Sequence, residues 1–432
     1  MKILEDQKSG ERIVHVPRRF TESEWGGTES VVANLCRRQV EAGYRPEIHT
    51  SMALNSQPRG QWGDTPVHRY KYSYPFLGLS PSERDSLDLK GGNMLSMSMF
   101  WNLLRIKRVR IFHAHVIKRL GGQVLTAARM RKKPFVVTLH GNVFDVPEEE
   151  LDDITAPQRG HLEWGKPLGM LFRSRSLLQE ADAVVCVGRS EFEKARHALG
   201  HERVYFLPNG VNVSAFSRGD RIQGRSELGF KGGEFVIGCV SRIDPQKNQM
   251  LLVEAFAKAV EDFPQLRLVL AGPVTRQGYR DEMVEMIARA GLTGKVRVLP
   301  PVEPESKKHA DLMAALDVFV LPSRHEPFGI VVLEAWASGK PVIASNVGGL
   351  TQLVDDGVNG LHFTNGDADS LQARISALVT SSVLAQELAE AGAQEAREKY
   401  DWDSVAFQME QIYQDAEEYL RAGRALSGAG KR

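Results

Sequence analysis

SRHEPFGIVVLEAWASG, residues 323–339, places two glutamates, Glu326 and Glu334, at either end of an apolar run. Glu326 precedes Pro327, which disfavours helical geometry at the glutamate, while proline itself suits a first helical turn. Glu326 is therefore expected in a loop and Glu334 inside the helix that follows. The amides of Phe328, Gly329 and Ile330 then point beyond the helix start, together with the positive end of the helix dipole, and define an anion site flanked by carboxylates. Eight residues of helical rise separate the two glutamates by roughly 12 Å, the span from sugar to ribose across a diphosphate. A nucleotide-sugar fits that arrangement. A capping glutamate followed by a solvent-facing one fits the spacing as well, so the two carboxylates alone decide nothing.

The surroundings are more specific. DVFVLPS (317–323) reads as a buried strand leading into the first glutamate, and PVIAS (341–345) as the next strand. FVIGCVS (235–241), LRLVLAG (266–272) and VRVLP (296–300) belong to the same series. An earlier series comprises RIVHV (12–16), VRIFHAH (109–115), FVVTLHG (135–141) and DAVVCVG (182–188). Short apolar strands alternating with amphipathic helices are the pattern of βα units around a parallel sheet. The turn residues of LPNGVNVSAF (207–216) separate the series, which predicts a domain over 1–208, a second over 209–400, and a terminal helix and tail over 401–432. A chain of 432 residues exceeds the roughly 250–300 that one core serves, so two domains are expected. In an open parallel sheet ligands bind beyond the carboxyl ends of the strands, and two such domains facing one another make a cleft.

Composition excludes several classes. The 25% charged residues and formal charge of +1 suit a globular protein and give no footprint for nucleic acid. No apolar run approaches the ~18 residues of a membrane span, and MKILEDQKSGERIVHV lacks a signal-peptide core, which predicts a cytoplasmic chain. Cys36, Cys186 and Cys239 lie in apolar patterns without disulfide or metal spacing and read as buried thiols. GxGxxG and GxxxxGK[ST] are both absent, which removes the main support for nicotinamide and P-loop readings. Between Gly91 and Phe144 there is no Asp or Glu but ten Lys or Arg, from Arg105 to Lys133. With the apolar segment MLSMSMFWNLLRI (94–106) before it, this stretch reads either as a helix covering the sheet or, over 94–133, as a face docking peripherally on an anionic membrane. The polar stretch 142–169, with an acidic run from Glu148 to Asp153, is expected to act as a lid.

EPFG followed by an apolar helix and ASGKPVIASNVGG resembles the signature of retaining glycosyltransferases of the GT-B fold, family 4. SRIDPQK, with Arg242 and Lys247 just past a strand, WGGTESVVANL, with Gly26 and Gly27 opening a helix, and His140 ending TLHG agree with it. The resemblance runs from about residue 12 to KYDWDSVAFQMEQIY, which looks like the family's closing helix returning to the first domain. It implies two Rossmann-like domains, α/β throughout, with an acceptor-binding first domain and a nucleotide-sugar-binding second one.

By the same resemblance Glu326 contacts the donor sugar, Glu334 the ribose hydroxyls, Arg242 and Lys247 the diphosphate, and Pro327, Phe328, Gly329 and Ile330 form the donor loop. Gly26 and Gly27 become diphosphate or acceptor contacts, and His140 reaches the sugar. Departures are Asn248 where glycine is common, AGPVTRQG (271–278) in place of a Gly-Asp-Gly-Pro loop, and Gln352 where glutamate is frequent. The implied reaction is metal-independent, retaining hexosyl transfer from a UDP- or GDP-sugar to a saccharide or lipid-linked hydroxyl, in polysaccharide or glycolipid synthesis, without a cofactor. A nucleotide-sugar epimerase and a non-catalytic sugar-nucleotide-binding protein are the alternatives.

Overall fold

The computed structural model describes residues 10–22, 25–141, 143–144, 156–230 and 232–429. The chain forms two compact units, Met1–Pro208 with Ala406–Arg432, and Asn209–Val405. The sheet of the first unit contains β1 (Arg12–Val16), β2 (Arg45–Ser51), β3 (Arg59–Trp62), β4 (Thr65–Tyr70), β5 (Val109–Ala114), β6 (Phe135–Leu139), β7 (Ala183–Cys186) and β8 (Val204–Phe206). Their spatial order is β3-β4-β2-β1-β5-β6-β7-β8, and only β3 and β4 pair antiparallel. The second unit orders β9 (Phe235–Val240), β10 (Leu266–Ala271), β11 (Val296–Leu299), β12 (Val318–Leu321), β13 (Val342–Ser345) and β14 (Leu361–Phe363) as β11-β10-β9-β12-β13-β14, with every pair parallel. Both are Rossmann-like sheets.

Central strands of a parallel sheet are covered on both faces, so they must be apolar throughout. All six residues of β5 and all five of β6 are buried, and the three cysteines are buried and free. The strand order reverses on either side of β1 in the first sheet and of β9 in the second. Beyond the carboxyl ends of strands flanking such a reversal, loops diverge to opposite faces and leave a crevice. The loops after β1, β5 and β6, and those after β9 and β12, carry the residues discussed below.

The basic stretch is divided: Arg110 and Arg119 are buried and Arg129, Arg131 and Lys133 partly so, while Arg105, Lys107, Arg108, Lys118 and Lys132 are exposed. Arg119 is buried and bonds the Glu163 carboxylate, and Arg129 pairs with Asp182 at 2.7 Å. Arg131 donates to the Leu103 carbonyl and lies over the Phe112 ring. The helix Met97–Leu103 turns Met99, Phe100 and Leu103 into the core and leaves Met97 and Trp101 exposed. It therefore covers the sheet, and no described helix is long and apolar enough to cross a membrane. The acidic run Glu148–Asp153 of the expected lid lies outside the described residues.

The last helix, Trp402–Ala429, links the two units. Trp402 is buried against Gly210, where a Cβ would approach the indole to 2.6 Å. Farther along, Arg110 of β5 spreads its guanidinium between Glu410 at 2.9 Å and Glu417 at 3.1 Å. Tyr413 is buried, with its hydroxyl 2.8 Å from His113 Nδ1. This part of the helix thus belongs to the first unit through polar contacts with β5. Arg110→Met would leave two carboxylates against the sheet without their cation. Urea unfolding should then show a loss on the order of 3 kcal/mol, and an unchanged midpoint would mean that the fork does not anchor the helix.

Candidate functional site

In the Asn209–Val405 unit, the chain leaves β9 and turns through Arg242–Asn248 before the helix Gln249–Asp262. Asp244 organises this turn. Its side chain accepts from the Gln246 amide at 2.8 Å, and its carbonyl accepts from the Lys247 amide at 2.9 Å. Asn248 caps the helix in the left-handed region, at φ 53°. Asparagine is among the few non-glycine residues that tolerate this conformation, which explains how it replaces the glycine common in similar sequences. Gln246 then joins this turn to the loop after β12. It accepts from Arg242 Nη2 at 3.1 Å, donates to the His325 carbonyl at 3.2 Å, and its own carbonyl accepts from the Arg324 amide at 2.8 Å. Beside it, Lys247 Nζ pairs with the Glu326 carboxylate, both side chains being largely buried. Ser323 Oγ lies 3.4 Å from the same oxygen.

The helix after Pro327 begins later than its proline suggests. It spans Ile330–Ala337, with Gly329 as N-cap at φ 99°. A Cβ at Gly329 would sit 2.7 Å from Leu350, so both backbone and packing require glycine there. Phe328 is buried in the core, edge-on to Tyr400. The donors of the first turn are therefore Ile330 and Val331 rather than Phe328 and Gly329, while Val332 donates to the Gly329 carbonyl. Because Glu326–Gly329 is not helical, helical rise does not measure the separation of the two glutamates. Asn-Val-Gly-Gly after β13 presses against this loop, and the Gly349 amide donates to the Glu326 carbonyl at 2.7 Å. A Cβ on Gly349 would meet the Pro327 carbonyl at 2.2 Å.

Glu334 is not the solvent-facing residue that a bare helix pattern allows. Burial, with the nearby Glu305 charge adding to it, raises its pKa to about 8. Its Oε2 lies 3.6 Å from His309 Nε2, beyond hydrogen-bond range. That oxygen and both ring nitrogens of His309 have no hydrogen-bond partner among the described residues. His309 projects from the helix Lys307–Ala315, edge-on to Phe216 at 5.1 Å, and burial lowers its pKa to about 4. An uncharged acid and an uncharged imidazole thus stand together with unused hydrogen-bonding capacity.

In the other unit, Gly26 and Gly27 open the helix Gly27–Glu41 after β1. Its first turn already holds a carboxylate. Glu29 is buried, its pKa is raised by burial despite the opposing charge of Arg19 3.5 Å away, and it accepts from the Gly26 amide. Arg18, also past β1, is partly buried, and Lys118, past β5, is exposed; partial desolvation lowers the pKa of each. A neighbouring cation lowers each further, Arg19 for Arg18 and Arg18 for Lys118. His140 follows β6. The next residue, Gly141, at φ 83°, donates its amide to Glu191 at 3.0 Å, which fixes the turn carrying the imidazole. His15, His113 and His115 lie close enough to share a metal ion, but every ring nitrogen of the three already has a partner within the chain.

The structure thus groups Arg242, Lys247 and Glu326 around Gln246 and sets Glu334 beside His309. It places Gly26, Gly27 and His140 at strand ends of the other unit. Sequence reasoning missed Gln246, His309, Glu191, Arg18 and Lys118. A signal existed for His309, which shares a helical stripe with Leu312, Met313 and Leu316. Arg18 lies two residues past the end of β1 and Lys118 four past the end of β5.

A family profile described as Glycosyltransferase Family 4 matches residues 25–215, and one described as Glycosyl transferases group 1 matches 220–423. A protein of Geodermatophilus obscurus named D-inositol 3-phosphate glycosyltransferase is 32% identical over 429 residues, covering 93% of this chain and 88% of its own. One of that name from Nocardia farcinica is 34% identical over 275 residues, 61% of this chain and 58% of its own. The crystal structure of Anabaena HepE in complex with UDP and glucose superposes with a TM-score of 0.68 at 21% identity, over 92% of this chain and 98% of that one. The chain belongs to the GT-B glycosyltransferases of family 4.

The protonated state of Glu334 has a measurable sign. The folded chain holds this proton up to about pH 8, whereas a free glutamate releases it near 4.5. Stability linked to this group is therefore full below pH 4.5 and is lost as the pH rises towards 8. Thermal unfolding of the wild type should lose ground to Glu334→Gln across that window. Parallel curves would show the carboxyl to be hydrated.

Proposed function

We propose that this glycosyltransferase moves a hexosyl group from a UDP- or GDP-sugar to a hydroxyl acceptor with retention of anomeric configuration and without a metal ion. The observation that carries the reading is the Lys247–Glu326 pair beyond β9 and β12, with Arg242 held beside it through Gln246. In this reading Glu326 orients the sugar hydroxyls, and Lys247 and Arg242 receive the diphosphate. The Ile330 and Val331 amides add to that field, and Glu334 takes the ribose diol. The acceptor oxygen forms its bond to the anomeric carbon as the carbon–phosphate oxygen bond breaks. The acceptor proton passes to the departing phosphate oxygen on the same face. Cations that stabilise this oxygen do more in the transition state than in the ground state, which is the condition for raising turnover. In the same reading His140 meets a sugar hydroxyl.

The relative matched over nearly full length is named for D-inositol 3-phosphate, and a phosphorylated polyol is the acceptor we assign. Arg18 and Lys118 support this, since two neighbouring cations past adjacent strands would be relieved of their repulsion by a phosphate dianion.

Incubation with UDP-glucose, UDP-N-acetylglucosamine and GDP-mannose, each with inositol 3-phosphate and a chelator, tests the proposal through the anomeric configuration of the product. One donor should give a retained glycoside at undiminished rate, and Lys247→Ala should lower turnover by about 100-fold. An inverted product, or complete loss of activity in chelator, would contradict it.

A further inference from the structure

His140 ends a chain of buried hydrogen bonds in the first unit. Gln39 Oε1 lies 2.9 Å from His15 Nε2, His15 Nδ1 lies 3.0 Å from His115 Nε2, and His115 Nδ1 lies 3.2 Å from His140 Nε2. A branch runs from Gln39 Nε2 to the Tyr413 hydroxyl at 3.3 Å, from that hydroxyl to His113 Nδ1 at 2.8 Å, and from His113 Nε2 to Thr138 Oγ1 at 2.7 Å. Gln39, His15, His113, His115, Thr138 and Tyr413 are all buried. Burial keeps the four imidazoles uncharged, lowering His15 and His140 to about 4 and His113 and His115 well below their usual range.

A neutral imidazole has one N–H and one bare nitrogen. A series of such rings joined nitrogen to nitrogen therefore has only two states, with all donors directed one way or all the other. The amide of Gln39 decides between them. A phenol is a stronger acid than a neutral imidazole N–H, so Tyr413 donates to His113 Nδ1 and His113 Nε2 donates to Thr138. The remaining lone pair of Tyr413 accepts from the Gln39 amide nitrogen. This turns the Gln39 carbonyl towards His15, and a carbonyl can only accept. His15 must then carry its proton on Nε2 and accept from His115 Nε2–H, which leaves His115 Nδ1 to accept from His140 Nε2–H. The nitrogen left bare at the end of the chain is His140 Nδ1.

We propose that Gln39 sets the tautomer of His140 through His15 and His115, so that His140 presents Nδ1 to substrate as a hydrogen-bond acceptor for a sugar hydroxyl. Gln39 is thus a positioning residue on the helix that the Gly26–Gly27 loop opens, three side chains removed from the imidazole it controls. The identity of the hydroxyl rests on the glycosyl-transfer reading, whereas the tautomer does not.

Long-range proton–nitrogen correlation spectra of 15N-histidine-labelled protein distinguish protonated from bare ring nitrogens, with His140→Ala identifying the His140 signals. The wild type should show His140 protonated at Nε2 and bare at Nδ1. Gln39→Met removes the acceptor at similar volume and should give a tautomer mixture at His140, with kcat/KM lowered by about tenfold, the worth of one hydrogen bond. Gln39→Glu keeps an acceptor for His15 and should retain the wild-type pattern. A proton on Nδ1 of His140 in the wild type, or an unaltered pattern in Gln39→Met, would overturn the proposal. If Gln39→Met does not fold, the wild-type spectrum alone decides. The predicted pattern in a protein that transfers no sugar would sink the functional reading and leave the relay standing.

Discussion

A carboxylate that is 7% exposed must be neutralised by a partner delivered from elsewhere in the chain. Lys247 does this for Glu326, and meeting that requirement shapes the carboxyl edge of the second sheet. The lysine comes from the turn after β9 and the glutamate from the loop after β12, two strands adjacent in the sheet though far apart in sequence. Asp244 and left-handed Asn248 hold the first loop in place, and Gly329 and Gly349 allow the second to pack without a side chain in the way. The ion pair thus determines where the neighbouring Arg242, the first helical amides and Glu334 stand.

The two units use different electrostatics at their strand ends. Around Glu326 the groups are charged and paired, as suits an anion that arrives and leaves. Around His140 they are neutral, buried and joined by directional hydrogen bonds, so that orientation rather than charge is fixed. Arg18 and Lys118 are the exception, two neighbouring cations of which Arg18 is partly buried and Lys118 exposed. Glu334 and His309 form a third arrangement, neutral, with hydrogen-bonding atoms that have no partner among the described residues.

Much of this was legible in the sequence because central parallel strands are apolar runs. FVVTLHG, FVIGCVS and DVFVLPS announce β6, β9 and β12, and the loops after them carry His140, Lys247 and Glu326. The strands that escaped notice lie towards the edges or are short. RPEIHTS (β2) and TPVHRY (β4) contain proline and charge, RGQW (β3) is an exposed antiparallel edge, and β8 and β14 have three residues each. The helix start was misplaced because Pro327 suits a first turn, but left-handed Gly329 breaks the path. Within the basic stretch, the carboxylates that pair Arg110, Arg119 and Arg129, namely Glu410, Glu417, Glu163 and Asp182, are distant in sequence, so no local pattern reveals them. Gln39 and Glu191 act through pairings that no local pattern encodes.

The central claim is that the second unit binds a nucleoside diphosphate with its ribose on Glu334 and its phosphates near Lys247. Calorimetric titration of the wild type and of Glu334→Ala with UDP, GDP and ADP in chelator tests it directly. Binding of one diphosphate that weakens at least tenfold in the variant, the worth of about 1.4 kcal/mol, is the predicted result. A folded wild type that binds none of the three, or binds one with equal affinity in both proteins, would contradict it.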